Sequence, residues 1–257
     1  MEFMEELFRI MERKTHPSIE HIHWHGTPEQ LFTEAQQVYP IIKNFPAYLR
    51  RVSSKIKEAD SGGRLEEVIN ELEQNIREEE KGAISGFNQP HKDLFLHTMS
   101  TLGYDTASFE NAALLPETRK YMNWLDDSIR EEPWQVDFAV TGLFVEGSPN
   151  ERKELGLAKK MDYMDNKEKM IYIRGMLKEH HLVKHFGLEP KDLKLKIAHL
   201  LVEGSHRQAA HDTILSYVPK PDDQKRVIEV MNKTLSMWLG YRNGIARACN
   251  LPRQYLT

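Results

Sequence analysis

The 257-residue chain has one cysteine, Cys249, so no disulfide can form within it, and a reducing cytoplasm is the expected setting. No apolar run approaches the roughly 18 residues that a membrane span requires. The first residues, MEFMEELFRIMERK, lack the apolar centre of a secretory signal. A strong charge of either sign is missing as well. The net charge of −4 gives no basic field to draw in nucleic acid. Also missing are alternating Val, Ile and Thr runs with tight Asn-Gly turns, the usual marks of strands. No internal repeat or low-complexity tract interrupts the chain. What remains is a cytoplasmic protein without membrane or nucleic-acid partners.

Helical signals are present almost throughout. Thr27-Pro28-Glu29 opens a long helix, with Thr27 placed to cap and Pro28 suited to the first position. That helix runs through EQLFTEAQQVYPIIKNFPAYLRRVSSKI, with kinks expected at Pro40 and Pro46, and Ser61-Gly62-Gly63 breaks it. RLEEVINELEQNIREEE follows, apolar with a 3.6-residue period at Leu65, Val68, Ile69, Leu72 and Ile76. GAISGFNQP reads as a loop, and Pro90 starts the next helix. Further helices are expected at 116–131, 133–146, 150–184 with interruptions, 190–217 and 221–248. Gly187 to Pro190 and Pro219 to Pro221 separate the last of these. No linker demands a domain boundary. The expectation is one all-α bundle of about seven to nine helices over residues 1–257.

Twelve histidines stand out, several of them clustered. In HIHWHG, His23 and His25 form either a surface metal trap or part of a solvated loop. More telling is IAHLLVEGSHRQAAHDTI. There His199, Glu203 and His206 are spaced i, i+4, i+7 and fall within about 60° around a helix. Two imidazoles and a carboxylate on one face suit iron, manganese or zinc. Leu195, Val202, Ala210 and Tyr217 share that face, so it points inward. A buried carboxylate there needs a strong partner, which is either a metal or a neighbouring histidine.

Glu146 ends the run Phe138 to Val145, which is apolar on all sides and reads as a central helix. It is either a buried ligand or a helix-end residue reaching solvent. In NIREEE, Glu79 continues the stripe of Leu65, Leu72 and Ile76 and can turn inward. Glu78 and Glu80 stay open as alternatives. His91 follows Pro90 in the first turn of the next helix, as a ligand or a surface residue. Together Glu79, His91, Glu146, His199, Glu203 and His206 form a set from which paired metal sites in helical bundles are built. Its oxygen content favours iron or manganese over copper.

At this point the chain resembles the heme-oxygenase-like diiron oxidases and oxygenases. Relatives of that fold include the PQQ synthase C and thiaminase-like (TenA-like) proteins. Four segments carry the resemblance, in order, over nearly the whole chain. THPSIEHIHWHGTPEQLFTEAQQVYPIIKNFPAYLRRV looks like the opening pattern. NIREEEKGAISGFNQPHKDLFLHTMSTLG looks like the segment that gives the first carboxylate and histidine. TGLFVEGSPNE is similar to the helix with the middle carboxylate, and AHLLVEGSHRQAAHD to the H-x3-D-x2-H helix. The pattern is similar to the group around the chlamydial death-domain-associating protein. The resemblance implies two iron ions per chain (manganese being the alternative), held by Glu79, His91, Glu146, His199, Glu203 and His206. It also implies a homodimer and O2-dependent oxidation of a small organic substrate of amino-acid or fatty-acid type.

Two departures stand out. Glu203 occupies the usual aspartate position and is one methylene longer. The stretch between Glu79 and His91 is longer than where both sit on one helix. Two other readings compete: a metal-free oxidase of the PQQ synthase C type, and a non-catalytic partner-binding protein on the same scaffold. A thiaminase-like hydrolase is disfavoured, because Cys249 lies near the end of the chain and not in a middle helix.

Overall fold

A computed structural model describes residues 2–161 and 163–257, apart from the side chains of Ser128, Glu203 and Ser205. Helices follow one another as α1 (Glu2–Glu12), α2 (Pro17–His25), α3 (Pro28–Ala59), α4 (Glu66–Lys81), α5 (His91–Thr101), α6 (Ala107–Glu110) and α7 (Pro116–Asn123). After them come α8 (Trp134–Phe138), α9 (Glu151–Met161), α10 (Asn166–Leu177), α11 (His181–Lys184), α12 (Lys194–Tyr217) and α13 (Pro221–Ala248). Two are continued by π-helical turns, α7 by Trp124–Ser128 and α8 by Ala139–Val145. No strand occurs among the described residues. No helix is long and apolar enough to cross a membrane.

Local chemistry sets most of the boundaries. At α3 the Thr27 hydroxyl accepts from the Gln30 amide at 3.3 Å, and the Gln30 side chain accepts from the Thr27 amide at 3.0 Å. This capping box satisfies two donors that the first turn leaves orphaned. Asp165 and Glu168 repeat it at α10. Gly82, at φ 57°, closes α4 in the left-handed conformation.

Pro40 and Pro46 lie inside α3, which nevertheless runs unbroken for 32 residues. Each proline removes a backbone donor, but packing outweighs that loss. Leu49, Val52 and Ile56 are fully buried along α3, and each such side chain contributes roughly 1.5–3 kcal/mol.

The helices number more than the expected seven to nine. The stretch 150–184 contains α9, α10 and α11, and α1 and α2 lie within residues 2–25, which the sequence left unassigned. HIHWHG therefore begins in a helix and not in a solvated loop. His16 caps it by accepting from the Ser18 amide at 3.2 Å, and Pro17 takes the first helical position.

Most of the core forms one apolar cluster, and a smaller one is built from Ala35, Tyr39, Phe95, Met99 and Phe109. Within the bundle α12 packs on α4, α5, α9 and the π turn after α8, while α4 packs on α3 and α5. The end of α4, the start of α5, the end of the π turn and the middle of α12 thus converge.

Candidate metal centre

Three of the expected residues meet at this convergence. Glu79, His91 and His199 each present a ligand atom, and all three atoms lie within 4.8 Å of one another. Glu79 and His91 are buried and His199 is half-buried; the two rings stand 5.0 Å apart. Donors about 2 Å from one ion are themselves separated by roughly 3–4 Å, so the cluster is of the size a single cation needs.

The three consecutive glutamates have three different surroundings. Glu79 faces the two histidines. Glu80 turns outward to an ion pair with Arg50. Glu78 is fully buried; its Oε1 accepts from His91 Nε2 at 3.2 Å, and its Oε2 accepts from the amides of Ile84 and Ser85 at 2.6 and 3.0 Å. Those amides fold back because Gly82 turns the chain. A Cβ there would lie 2.6 Å from the Gln89 carbonyl oxygen, so only glycine fits.

This arrangement decides which nitrogen of His91 faces the centre. Nε2 is committed to Glu78. Nδ1 lies 2.8 Å from Glu79 Oε1 but off the line of a hydrogen bond, and no hydrogen bond satisfies it. A buried nitrogen without a hydrogen bond, beside a carboxylate and a second imidazole, fits a cation. A carboxylate fixing the far side of a metal-binding imidazole is a recurrent device. Without a cation, burial alone would depress the imidazole; Glu78 and Glu79 override that and raise it to about 10. Against its own burial, His91 and the Ser85 and Ile84 amides hold Glu78 down at about 2.

Glu146 follows the π turn, and such turns are frequent at functional sites. Asn75 Nδ2 donates to it at 3.0 Å, and His206 Nδ1 lies 3.7 Å from its Oε1. Glu146 lines two cavities. One, of about 200 Å³, it shares with Glu79, His199, Lys196 and Arg207; the other, of about 160 Å³, it shares with Asn75, His206, Phe138 and Gly142. It therefore stands between the Glu79–His91–His199 group and His206. Glu203 was expected among the ligands, and its side chain lies outside the described residues.

Most other aromatic, histidine and cysteine side chains are engaged elsewhere. Tyr39 donates to Glu110 within the smaller core cluster, and the Tyr217 hydroxyl donates to the Arg64 carbonyl. Phe138 does border a cavity at Glu146. His23 pairs with Glu34 at 3.0 Å and stacks on His181, while His25 is exposed. Cys249 is buried; burial pushes its thiol up to about 11, unlike an activated nucleophile. Asn75, Glu151 and Arg207 escape a reading of the sequence. Only Asn75 leaves a trace there, being one helical turn before Glu78 and Glu79.

Solved structures share this fold. A CADD-like protein of unknown function from Nostoc punctiforme has a structure matching with a TM-score of 0.63 at 15% identity, covering 96% of this chain and 97% of that one. A TenA homologue from Pseudomonas syringae pv. tomato matches at 0.63 and 13% identity, covering 96% and 91%. At such identities the likeness concerns the fold: the heme-oxygenase-like helical bundle. No curated protein matches the chain. The family profile described as iron-containing redox enzyme matches residues 34–239. With most of its length inside that match, the chain belongs to the family of iron-containing redox enzymes.

Proposed function

We propose that the protein is an O2-dependent oxidase or oxygenase with a dinuclear non-heme iron centre, acting on a small organic substrate of amino-acid or fatty-acid type. The observation that carries this reading is the buried convergence of Glu79, His91 and His199, with His91 Nδ1 lacking a hydrogen bond. In this reading those three residues hold one ion. Glu146, His206 and Glu203 would hold a second. Bound iron supplies the redox chemistry of O2 activation. The protein's own part is to hold, orient and exclude water. Glu78 keeps His91 in the tautomer that presents Nδ1. Asn75 orients Glu146. Ile41, Phe45 and Val145 give the larger cavity an apolar wall, and Lys196 beside it supplies a cation that suits a substrate carboxylate.

The test is anaerobic reconstitution with Fe(II), counting iron in wild type and His199→Ala. The reading requires about two ions per chain in the wild type and a loss of iron in the variant with the fold retained. Full iron in His199→Ala would sink it. So would a wild type that binds none, which would favour the metal-free or partner-binding alternatives.

A further inference from the structure

The turn that follows Glu146 is gripped from two sides by buried charge. On one side is Lys14, between α1 and α2 and only 5% exposed. Its Nζ donates to the carbonyls of Phe144 and Gly147, both at 2.5 Å. The rings of Phe144 and Trp238 flank the ammonium at 4.7 and 5.3 Å. On the other side is Glu151, the first residue of α9, 1% exposed. It accepts from the Ser148 amide at 3.0 Å and is itself fixed by Arg207 at 3.1 Å and His211 at 3.2 Å. Both of those come from α12, which also carries His199 and His206.

The backbone between the two grips has no slack. A Cβ on Gly147 would lie 2.4 Å from the Leu143 carbonyl oxygen and 2.6 Å from Met11 Cε. Carbonyls at a helix C-terminus are orphans, and water or a chain turn usually satisfies them. Here a buried lysine does so, although burying an ammonium is unfavourable. Burial draws Lys14 down to about 7, with Glu151 opposing. The carbonyls it holds flank Glu146 on either side in the chain. A carboxylate that holds a metal ion must be placed to within about 0.5 Å.

We propose that Lys14 is a positioning residue for Glu146, pinning residues 144 and 147 to the α1–α2 turn so that the carboxylate reaches the second metal position. This rests on the dinuclear reading above.

The test uses Co(II) as the probe. Metal-free protein is titrated anaerobically, and visible absorption and binding stoichiometry are read for wild type, Lys14→Met and Ile56→Ala. Ile56→Ala truncates the core on α3 and controls for lost stability. The wild type is expected to bind two cobalt ions, and Ile56→Ala to do the same. Lys14→Met is expected to bind the first ion normally and the second at least tenfold more weakly, the low end of the roughly 10–100-fold typical of outer-shell partners. If Lys14→Met does not fold, Lys14→Gln, which retains one shorter donor arm, is read by the same criterion. Wild-type affinity for both ions in the Lys14 variant overturns the inference and leaves the dinuclear reading standing. An equal loss in Ile56→Ala also overturns it. Wild-type protein that binds no cobalt overturns both.

Discussion

His91 is fastened at one ring nitrogen and lacks a hydrogen bond at the other, which makes its partner Glu78 separately testable. Glu78→Gln keeps the shape but weakens the grip on Nε2, so it should lower metal affinity about 10–100-fold. Glu80→Gln, on an exposed pair with Arg50, should leave affinity unchanged and alter stability by about 0–1 kcal/mol. Isothermal titration with Co(II) separates the two; equal effects would mean that Glu78 has no special hold on the centre. Cys249→Ala should leave turnover intact, because the thiol is buried and held protonated. Loss of activity there at retained stability would revive a nucleophilic reading. Glu79 was legible in the sequence because it extends the stripe of Leu72 and Ile76. The role of Glu78 was not, because its partners are amides of a loop that returns only through the left-handed turn at Gly82.

At the scale of elements, α2 is docked to α11 through stacked histidines. His23 lies 3.8 Å from His181, centroid to centroid, and His181 lies 4.2 Å from His180. Burial, then the neighbouring Lys196 and His23, draw His180 down to about 4; burial, then His23 and His180, draw His181 down to about 2. The unfolded chain therefore binds more protons below the ordinary value of 6.5. Stability from this docking is full above 6.5 and is lost as pH falls towards 4. The urea midpoint should fall across that window, and His180→Gln with His181→Gln should flatten the fall. An unchanged slope in the double variant would remove these histidines from the account. Helix starts were readable at Thr27, Pro90 and Pro221, where a cap or a proline marks them, while the same marks at Pro17 and at Asp165 with Glu168 went unread. The π turns were not, since nothing local in Ala139–Val145 distinguishes them from ordinary helix.

At the scale of the molecule, the proposed centre would draw its ligands from α4, α5, α12 and the turn after α8, so filling it should tie these elements together. A ligand that binds only the folded state stabilises it by about 2.7 kcal/mol at a hundredfold excess over Kd. Anaerobic Fe(II) should therefore raise Tm in the wild type and not in His199→Ala; an equal rise in both would point to adventitious binding elsewhere. The all-α architecture was legible from periodicity and breakers. The meeting of Glu79, His91 and His199 depends on tertiary packing; residue types and spacing offered them as one set, and the resemblance implied that they share a site. The most direct test of the central claim combines an iron count with electron paramagnetic resonance after the Fe(II)-loaded protein meets O2. A bridged pair predicts about two iron ions per chain with almost no ferric signal, because the paired spins cancel. A full-intensity signal from isolated ferric ions, or one ion per chain, would contradict it.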